Sequence, residues 1–412
     1  MNLELFIAGR LYGTRKGTRR ISRPAVTIAQ WGVAIGAVVM FISICIIVGF
    51  KNQVKEKVVG FGGNIQAMNA ETDMNGPMPM STDEEMLDEI RAIQGVKQAE
   101  PFVNKPGMIV TGGEYEGIVL KGVGEGYDLS FIEENLVEGV LPHMSDTVTS
   151  NSIVISRSIA DRLNCKLDDR IVIYFLQNGI KARKMTVTGI YETHLNELDN
   201  IMTITDIYTT RRLYGWEEEK AGGIEITTDE YDATYGVRDK INGILQEYGK
   251  QTGEITYAAT IDELYPALFA WLDVLDQTVW LILTLVLCIA AFTMISGLLI
   301  LILEKSSFIG IMKAIGAKNV SIRKIFIYYS CFIIGKGLLI GNGIGIVLCI
   351  AQQQTGLVAL DPSMYYMDRV PIEFSWLLIP MNIAMFILSV AVMVVPSMLI
   401  SKIEPTKAIK FE

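Results

Sequence analysis

Residues 304–324, EKSSFIGIMKAIGAKNVSIRK, separate two long apolar runs, and their reading decides the fold. Phe308, Ile311, Met312 and Ile315 recur at i, i+3, i+4 and i+7, the spacing of one stripe on a short amphipathic helix. Ser306 or Ser307 can cap its start, and Gly316 stands where a glycine just past the last turn ends a helix. Lys305, Lys313, Lys318, Arg323 and Lys324 face a single acid, Glu304. So short a helix is marginal in water alone, and something beyond it must hold it. Two readings follow: a cytosolic elbow that docks its stripe into a partner protein, or an interfacial helix lying on a bilayer.

Working outward, the runs 25–50, 277–303, 325–350 and 375–400 each satisfy the requirement of about 18 apolar residues for a transmembrane helix. At about 1.5 Å per residue each is longer than a bilayer core of roughly 30 Å, so tilt or extension into water is expected. With 50% hydrophobic residues and a net charge of −9, the 412-residue chain is too apolar for an ordinary soluble enzyme and too charged for spans alone.

Basic residues in the short segments set the orientation. Segment 1–24 carries Arg10, Arg15, Lys16, Arg19, Arg20 and Arg23 against Glu4, and the tail 401–412 carries Lys402, Lys407 and Lys410 against Glu404 and Glu412. Segment 51–276 holds 20 basic and 38 acidic residues. Both termini and the elbow are therefore expected inside the cell, with 51–276 and the short loop 351–374 outside. The first apolar run is too long for the roughly 7–15-residue core of a cleaved signal peptide and reads as an uncleaved span. Leu3, Phe6, Ile7 and Leu11 mark a short helix along the inner membrane surface, its basic neighbours toward anionic lipid headgroups.

The outer segment reads as α+β. Thr82 and Glu85 have capping-box spacing before a helix with Met86, Leu87, Ile90 and Ile93 on its buried face, closed by Gly95. Strand-like runs at 64–68 and 108–111 flank it, and a second unit follows: strand 224–227, helix 230–248, strand 254–258. Between them, alternating runs at 118–120, 153–156, 171–175, 185–190 and 201–205 are punctuated by Gly112 and Gly113, by Gly124 and Gly126, and by Gln177, Asn178 and Gly179. The expectation is a split β-α-β platform (64–112 and 222–260) with a β-rich insert (113–221). From 257 to 276 an amphipathic stretch leads into the second span, reading as one stalk helix. Its Asp262, Glu263, Asp273 and Asp276 stay wet, and Trp271 and Trp280 stand at interface height. Such a rod could carry a displacement or merely seat the domain.

No enzyme signature emerges. Cys45, Cys288, Cys331 and Cys349 fall within spans, and Cys165 is alone in the outer segment. His143 and His194 lack metal-ligand spacing and read as surface or turn residues. Gly122, Gly124 and Gly126 do not match a dinucleotide-binding fingerprint, no phosphate-binding loop motif occurs, and nothing points to a metal, cofactor or nucleic acid.

Several stretches resemble a known family: Phe6, Ile7, Ala8 and Arg10; 28–36; Val48, Gly49 and Phe50; 188–192 (TGIYE) with Glu197, Leu198 and Asp199; 290–305 with 309–317; Tyr365 and Tyr366 with Val370 and Pro371; and Pro396 with Glu404 and Pro405. The chain resembles the permeases of lipoprotein-releasing (Lol-type) ABC transporters, within the wider MacB/FtsX-like group. The resemblance implies four transmembrane helices with a large α+β extracytoplasmic domain between the first and second, in the bacterial inner membrane. It implies a pair of identical or paralogous permeases, and a separate cytosolic ATPase that binds ATP and docks at the elbow. It further implies a lipoprotein substrate, and a periplasmic carrier that receives it. The elbow residues expected to couple are Glu304, Lys305, Phe308, Gly310, Lys313, Gly316 and Ala317. The candidate lipoprotein path runs along Met40, Phe41, Ile44, Val48 and Phe50, opposite Leu268, Leu272, Leu275 and Val279, with plain lipid contact or helix packing as the competing reading for each. A relay to another envelope process and a scaffold without an ATPase are the competing readings. Lys336, mid-span between Gly335 and Gly337, is costly there unless paired or hydrated, and reads as a polar anchor or a snorkelling side chain.

Overall fold

The computed structural model describes residues 3–13, 22–72, 76–111, 113–176 and 179–398. The expected tail 401–412, most of the basic N-terminal segment and the turns at Gly112 and at Gln177–Asn178 lie outside them. The chain divides into two compact units: Met1–Lys51, Trp271–Ala359 and Arg369–Glu412, and Asn52–Ala270 with Leu360–Asp368.

Among the described residues four helices are long and apolar enough to cross a membrane: Val26–Gly62, Pro266–Glu304, Asn319–Thr355 and Leu378–Ser397. The first belongs to a helix running Ser22–Gly62, well past the expected end at 50. The reason is a stripe hidden among charges: Val54, Val58 and Phe61 recur at i, i+4 and i+7 and are buried. The third begins at Asn319 rather than 325, so the interruption before it is shorter than 304–324.

The first and third of these helices pack through small residues. A Cβ at Gly341 would come within 2.5 Å of the Ala34 carbonyl oxygen, one at Gly337 within 2.9 Å of Val33 and one at Gly345 within 3.0 Å of Phe41. One glycine per turn thus lets two backbones approach, as in small-xxx-small membrane interfaces. The N-terminal helix spans Leu3–Gly13. Its packed face centres on Ala8, with Ile7, Leu11 and Tyr12 beside it, while Leu3 and Phe6 remain exposed.

In the other unit the strands are β1 (Ile65–Asn69), β2 (Met80–Ser81), β3 (Val96–Thr111), β4 (Glu114–Val123), β5 (Leu136–Gly139) and β6 (Ser152–Ser156). They continue as β7 (Arg170–Phe175), β8 (Lys181–Tyr191), β9 (Met202–Asp206), β10 (Lys220–Ala221), β11 (Gly223–Thr228) and β12 (Thr256–Thr260). One sheet runs β12-β1-β11-β3-β4-β9-β6-β8-β5, with β7 pairing both β3 and β8. Every expected strand is present, but platform and insert are not separate modules. The 16-residue β3 pairs β11 through its first half and β4 and β7 through its second, fusing the two.

Helices Glu84–Arg91 and Thr234–Thr252 bury Met86, Leu87 and Ile90 and Val237, Ile241 and Leu245 in one apolar cluster with β1 and β11. The expected capping box is absent. Asp83 takes the N-cap position, and the Thr82 hydroxyl donates to the Glu219 carbonyl instead (3.1 Å).

The stalk is shorter than expected. Residues 257–260 belong to β12, and Ile261–Leu264 is a separate turn of helix, with the Glu263 carboxylate accepting from the Thr260 amide (3.0 Å). Tyr265 breaks the helix at φ −118°, ψ 56°, because a residue preceding proline is pushed out of the helical region. From Pro266 to Glu304 the rod is unbroken.

Candidate coupling site and transmission elements

The stalk helix passes into the elbow helix Ser306–Ala314 through one bent residue, Lys305. Backbone bonds run through the bend, from the Lys305 amide to Leu301 (2.9 Å) and from the Ile309 amide to Lys305 (2.9 Å). Neither Ser306 nor Ser307 caps the helix; Lys305 occupies that position and Ser306 is the first helical residue. Gly316 ends it as the sequence requires. At φ +89° it lets its own amide reach Lys313 (3.0 Å) and the Ala317 amide reach Met312 (2.9 Å), the two bonds of a Schellman motif.

The predicted stripe is divided. Ile309 and Gly310 are the buried residues, Phe308 and Met312 are half-buried, and Ile311 and Ile315 are 52% and 72% exposed. Glu304 lies at the root of the elbow, with Oε1 4.0 Å from Lys305 Nζ and Oε2 buried without a hydrogen-bond partner among the described residues. Of the expected coupling residues, Gly310 is buried, Glu304, Lys305, Phe308, Lys313 and Ala317 are half-buried, and Gly316 is exposed beside Ile311 and Ile315.

Most of the expected path residues on the first helix face inward. Met40, Phe41, Ile44 and Phe50 are buried, Phe41 against Phe374 (6.2 Å between ring centroids) and Phe50 against Trp271 (5.6 Å). Val48 packs half-buried on the same core, and Leu272 is buried. Leu268, Leu275 and Val279 remain half-exposed. The membrane unit presents outward instead Ile28, Trp31, Ile35, Trp280, Leu281, Leu285, Ile289 and Phe292. An open groove of about 330 Å³ lies between the first and stalk helices, lined by Ile28, Phe292, Thr293, Ser296, Gly297 and Ile300. Lys336 is exposed, its ammonium 5.9 Å from the Tyr12 ring centroid, a cation–π geometry. Tyr12 in turn contacts Tyr329 and Phe332.

Two charged pins set the long helices. Lys51 Nζ lies 2.5 Å from Asp276 Oδ2, bonding the first helix to the stalk helix beside the Phe50–Trp271 contact. In the other unit Lys121 and Glu225 form a buried pair at 2.7 Å. The Lys121 ammonium also donates to the Phe61 carbonyl, an orphan acceptor in the last turn of the first helix, and to Tyr127 Oη (2.8 Å). Tyr127 donates to the Glu225 carboxylate. Burial pushes Lys121 below the usual lysine range, with Glu225 opposing, and burial beside Glu225 pushes the Tyr127 phenol up. Sequence alone could not find this cluster, because Lys121 and Glu225 are 104 residues apart and neither stands in a motif.

Among the described residues no group of His, Cys, Asp and Glu could hold a metal ion. The arrangement consists of a bent root, an unbroken 39-residue helix and two charged pairs, of which Lys121–Glu225 is buried.

Two family patterns match the chain: the MacB-like periplasmic core domain over residues 27–244 and the FtsX-like permease C-terminal domain over residues 280–405. The lipoprotein-releasing system transmembrane protein LolC of Neisseria meningitidis is 20% identical over 406 residues, covering 92% of each chain. LolE of Haemophilus influenzae, of the same description, is 21% identical over 435 residues, covering 99% of each. Among solved structures, the periplasmic region of MacB from Actinobacillus actinomycetemcomitans matches with a TM-score of 0.35 at 14% identity, covering 51% of this chain and 95% of that one. With its core-domain pattern spanning more than half of its length, and its likeness to LolC and LolE running nearly end to end, the chain belongs to the MacB/FtsX family of membrane permeases, in its Lol-type branch.

Proposed function

We propose that this chain is the membrane subunit of an ATP-driven complex that extracts lipoproteins from the inner membrane and passes them to a periplasmic carrier. The observation that carries the reading is the elbow. Ile311 and Ile315 stand exposed beside Gly316 on a helix joined through one bent residue to a 39-residue rod. An exposed apolar pair among lysines, at the root of a rigid lever, suits an ATPase that closes on ATP and tilts the lever. Both termini and the elbow are then cytoplasmic, as the basic bias of 1–24 and 304–324 requires, and a second permease, identical or paralogous, completes the complex.

The work at the membrane is burial rather than bond-making. Each acyl CH₂ exposed to water costs about 0.8 kcal/mol, so a lipid-modified substrate must travel along apolar surface. With Met40, Phe41, Ile44 and Phe50 occupied by internal packing, that surface is the Ile28–Phe292 groove and the outward face of the stalk helix, with Leu275 and Val279 at its upper end. The names of the LolC and LolE relatives support a lipoprotein as the cargo. Depleting the protein and fractionating the membranes tests the reading: lipoproteins should accumulate in the inner membrane. Normal sorting after depletion would leave only a relay or a scaffold role.

A further inference from the structure

Segment Leu360–Asp368 lies in sequence between the third and fourth spans, yet it belongs to the same compact unit as the inserted domain. A short stem closes it: Ala359 pairs with Arg369, and the Leu360 amide donates to the Asp368 carbonyl (2.8 Å). Its far end is seized by the domain. Lys57 Nζ donates to the carbonyls of both Thr193 and Tyr366, each at 2.6 Å. Tyr366 Oη donates to Glu197 Oε1 (2.6 Å), and His194 Nε2 stands 3.2 Å from Asp368 Oδ1. Met367 is buried.

The receiving loop is itself fixed. Thr193 donates through its amide (3.1 Å) and hydroxyl (2.7 Å) to the carboxylate of buried Asp199, and the Asp199 carbonyl accepts from Ser156. Tyr366 and His194 both hold positive φ, at 61° and 62°. Histidine, asparagine and aspartate tolerate that conformation, but a bulky tyrosine seldom adopts it unless surrounding contacts impose it. The loop that joins TGIYE to Glu197–Asp199 therefore meets the Tyr365–Tyr366 stretch twice: Thr193 and Tyr366 share Lys57 of the first helix, and Glu197 accepts from Tyr366.

We propose that residues 360–368 form a permanent clasp, closed by Lys57, Glu197 and His194, which makes the loop between the last two spans a working part of the extracytoplasmic domain. Domain motion then pulls on that loop as well as on the first and stalk helices, so Lys57 and Tyr366 are positioning residues for transport. The proposal rests on the function given above and deepens it.

The full permease, assembled with its ATPase in membranes, provides the test. Glu197→Cys with Tyr366→Cys, bridged by a short bis-methanethiosulfonate that fills the space left by the two longer side chains and read as the 197–366 cross-linked peptide, should form to the same extent in nucleotide-free and vanadate-trapped complexes. The cross-linked complex should keep releasing lipoprotein. Lys57→Met should lower lipoprotein released per ATP hydrolysed by about fivefold or more, a typical size for a coupling effect, and Lys57→Arg should recover most of it. Tyr366→Phe, which removes one hydroxyl, should shift the same ratio in the same direction and serves if Lys57→Met does not accumulate. Cross-linking confined to one nucleotide state, or release lost on cross-linking and regained on reduction, would show a clasp that opens and overturn the proposal. Unchanged coupling in both Lys57→Met and Tyr366→Phe would overturn it too. A wild-type complex that releases no lipoprotein defeats the functional reading, while the comparison of cross-linking between nucleotide states still judges the clasp.

Discussion

The two polar interruptions between long helices are built on opposite principles. At the elbow, one helical stretch leaves Ile311 and Ile315 in the open and the Glu304 carboxylate oxygen Oε2 buried without a partner among the described residues. At 360–368, one lysine satisfies two carbonyls, a tyrosine finds a carboxylate, and a methionine is buried. Met364 and Tyr365 remain exposed there as well, so the contrast lies in the polar groups: those of 360–368 are matched within the chain, while the elbow keeps a buried oxygen unmatched among the described residues. Under the proposed function, the elbow is the surface left for another subunit.

The largest effect is expected where the finished side is pinned. Glu225→Ala strands a buried Lys121 beside the last turn of the first helix and should cost about 3–5 kcal/mol of unfolding free energy. Denaturant titration of the detergent-solubilised chain, followed by circular dichroism, would show it; a loss below about 1 kcal/mol would mean the pair is dispensable. Gly341→Leu should follow, at about 1–3 kcal/mol or more, since the new side chain meets the Ala34 carbonyl. Restoration by Gly341→Ala alone, with no loss of folded protein, would contradict so close an approach.

Ile315→Asp sharpens the contrast from the other side. Being 72% exposed, it should change stability by no more than about 0.5 kcal/mol. It should nonetheless abolish co-purification of the ATPase and ATP-coupled release. Retained binding would move the docking surface elsewhere. By contrast, a bulky substitution at Gly310, which is buried, tests packing rather than docking.

The smallest effect is a pH slope. Lys105 is buried on β3, its ammonium 3.5 Å over the Tyr214 ring, and burial, then Lys181, pushes it to about 8. Between about pH 8 and 10.5 the unfolded chain holds more protons at this site than the folded one, so Lys105 makes stability rise with pH across that window. Below the window both states are protonated and the slope vanishes. Unfolding midpoints measured across it should climb less steeply in Lys105→Met than in the parent chain; parallel curves would remove Lys105 from the account.

Local signals carried much of this protein. The four apolar runs, the Gly316 stop and the longer strands of the inserted domain were legible, though not the short β2, β5 and β10, because length, periodicity and positive φ are properties of neighbouring residues. The first helix was read short because Lys51, Lys55 and Lys57 masked the stripe of Val54, Val58 and Phe61. The stalk was read long because an amphipathic stretch looks alike whether or not Tyr265 breaks it before Pro266.

By itself, then, the sequence determined that this chain crosses a membrane through apolar helices and that an α+β domain divides the first two spans. Only the tertiary structure decided which face of the elbow is covered, that β3 serves both halves of one sheet, and that Lys57, Glu197 and Tyr366 close on one another. Those outcomes depend on partners distant in sequence, 309 residues for Lys57 and Tyr366, whose register no local pattern encodes, and on whether a given apolar side chain finds a neighbour to bury against.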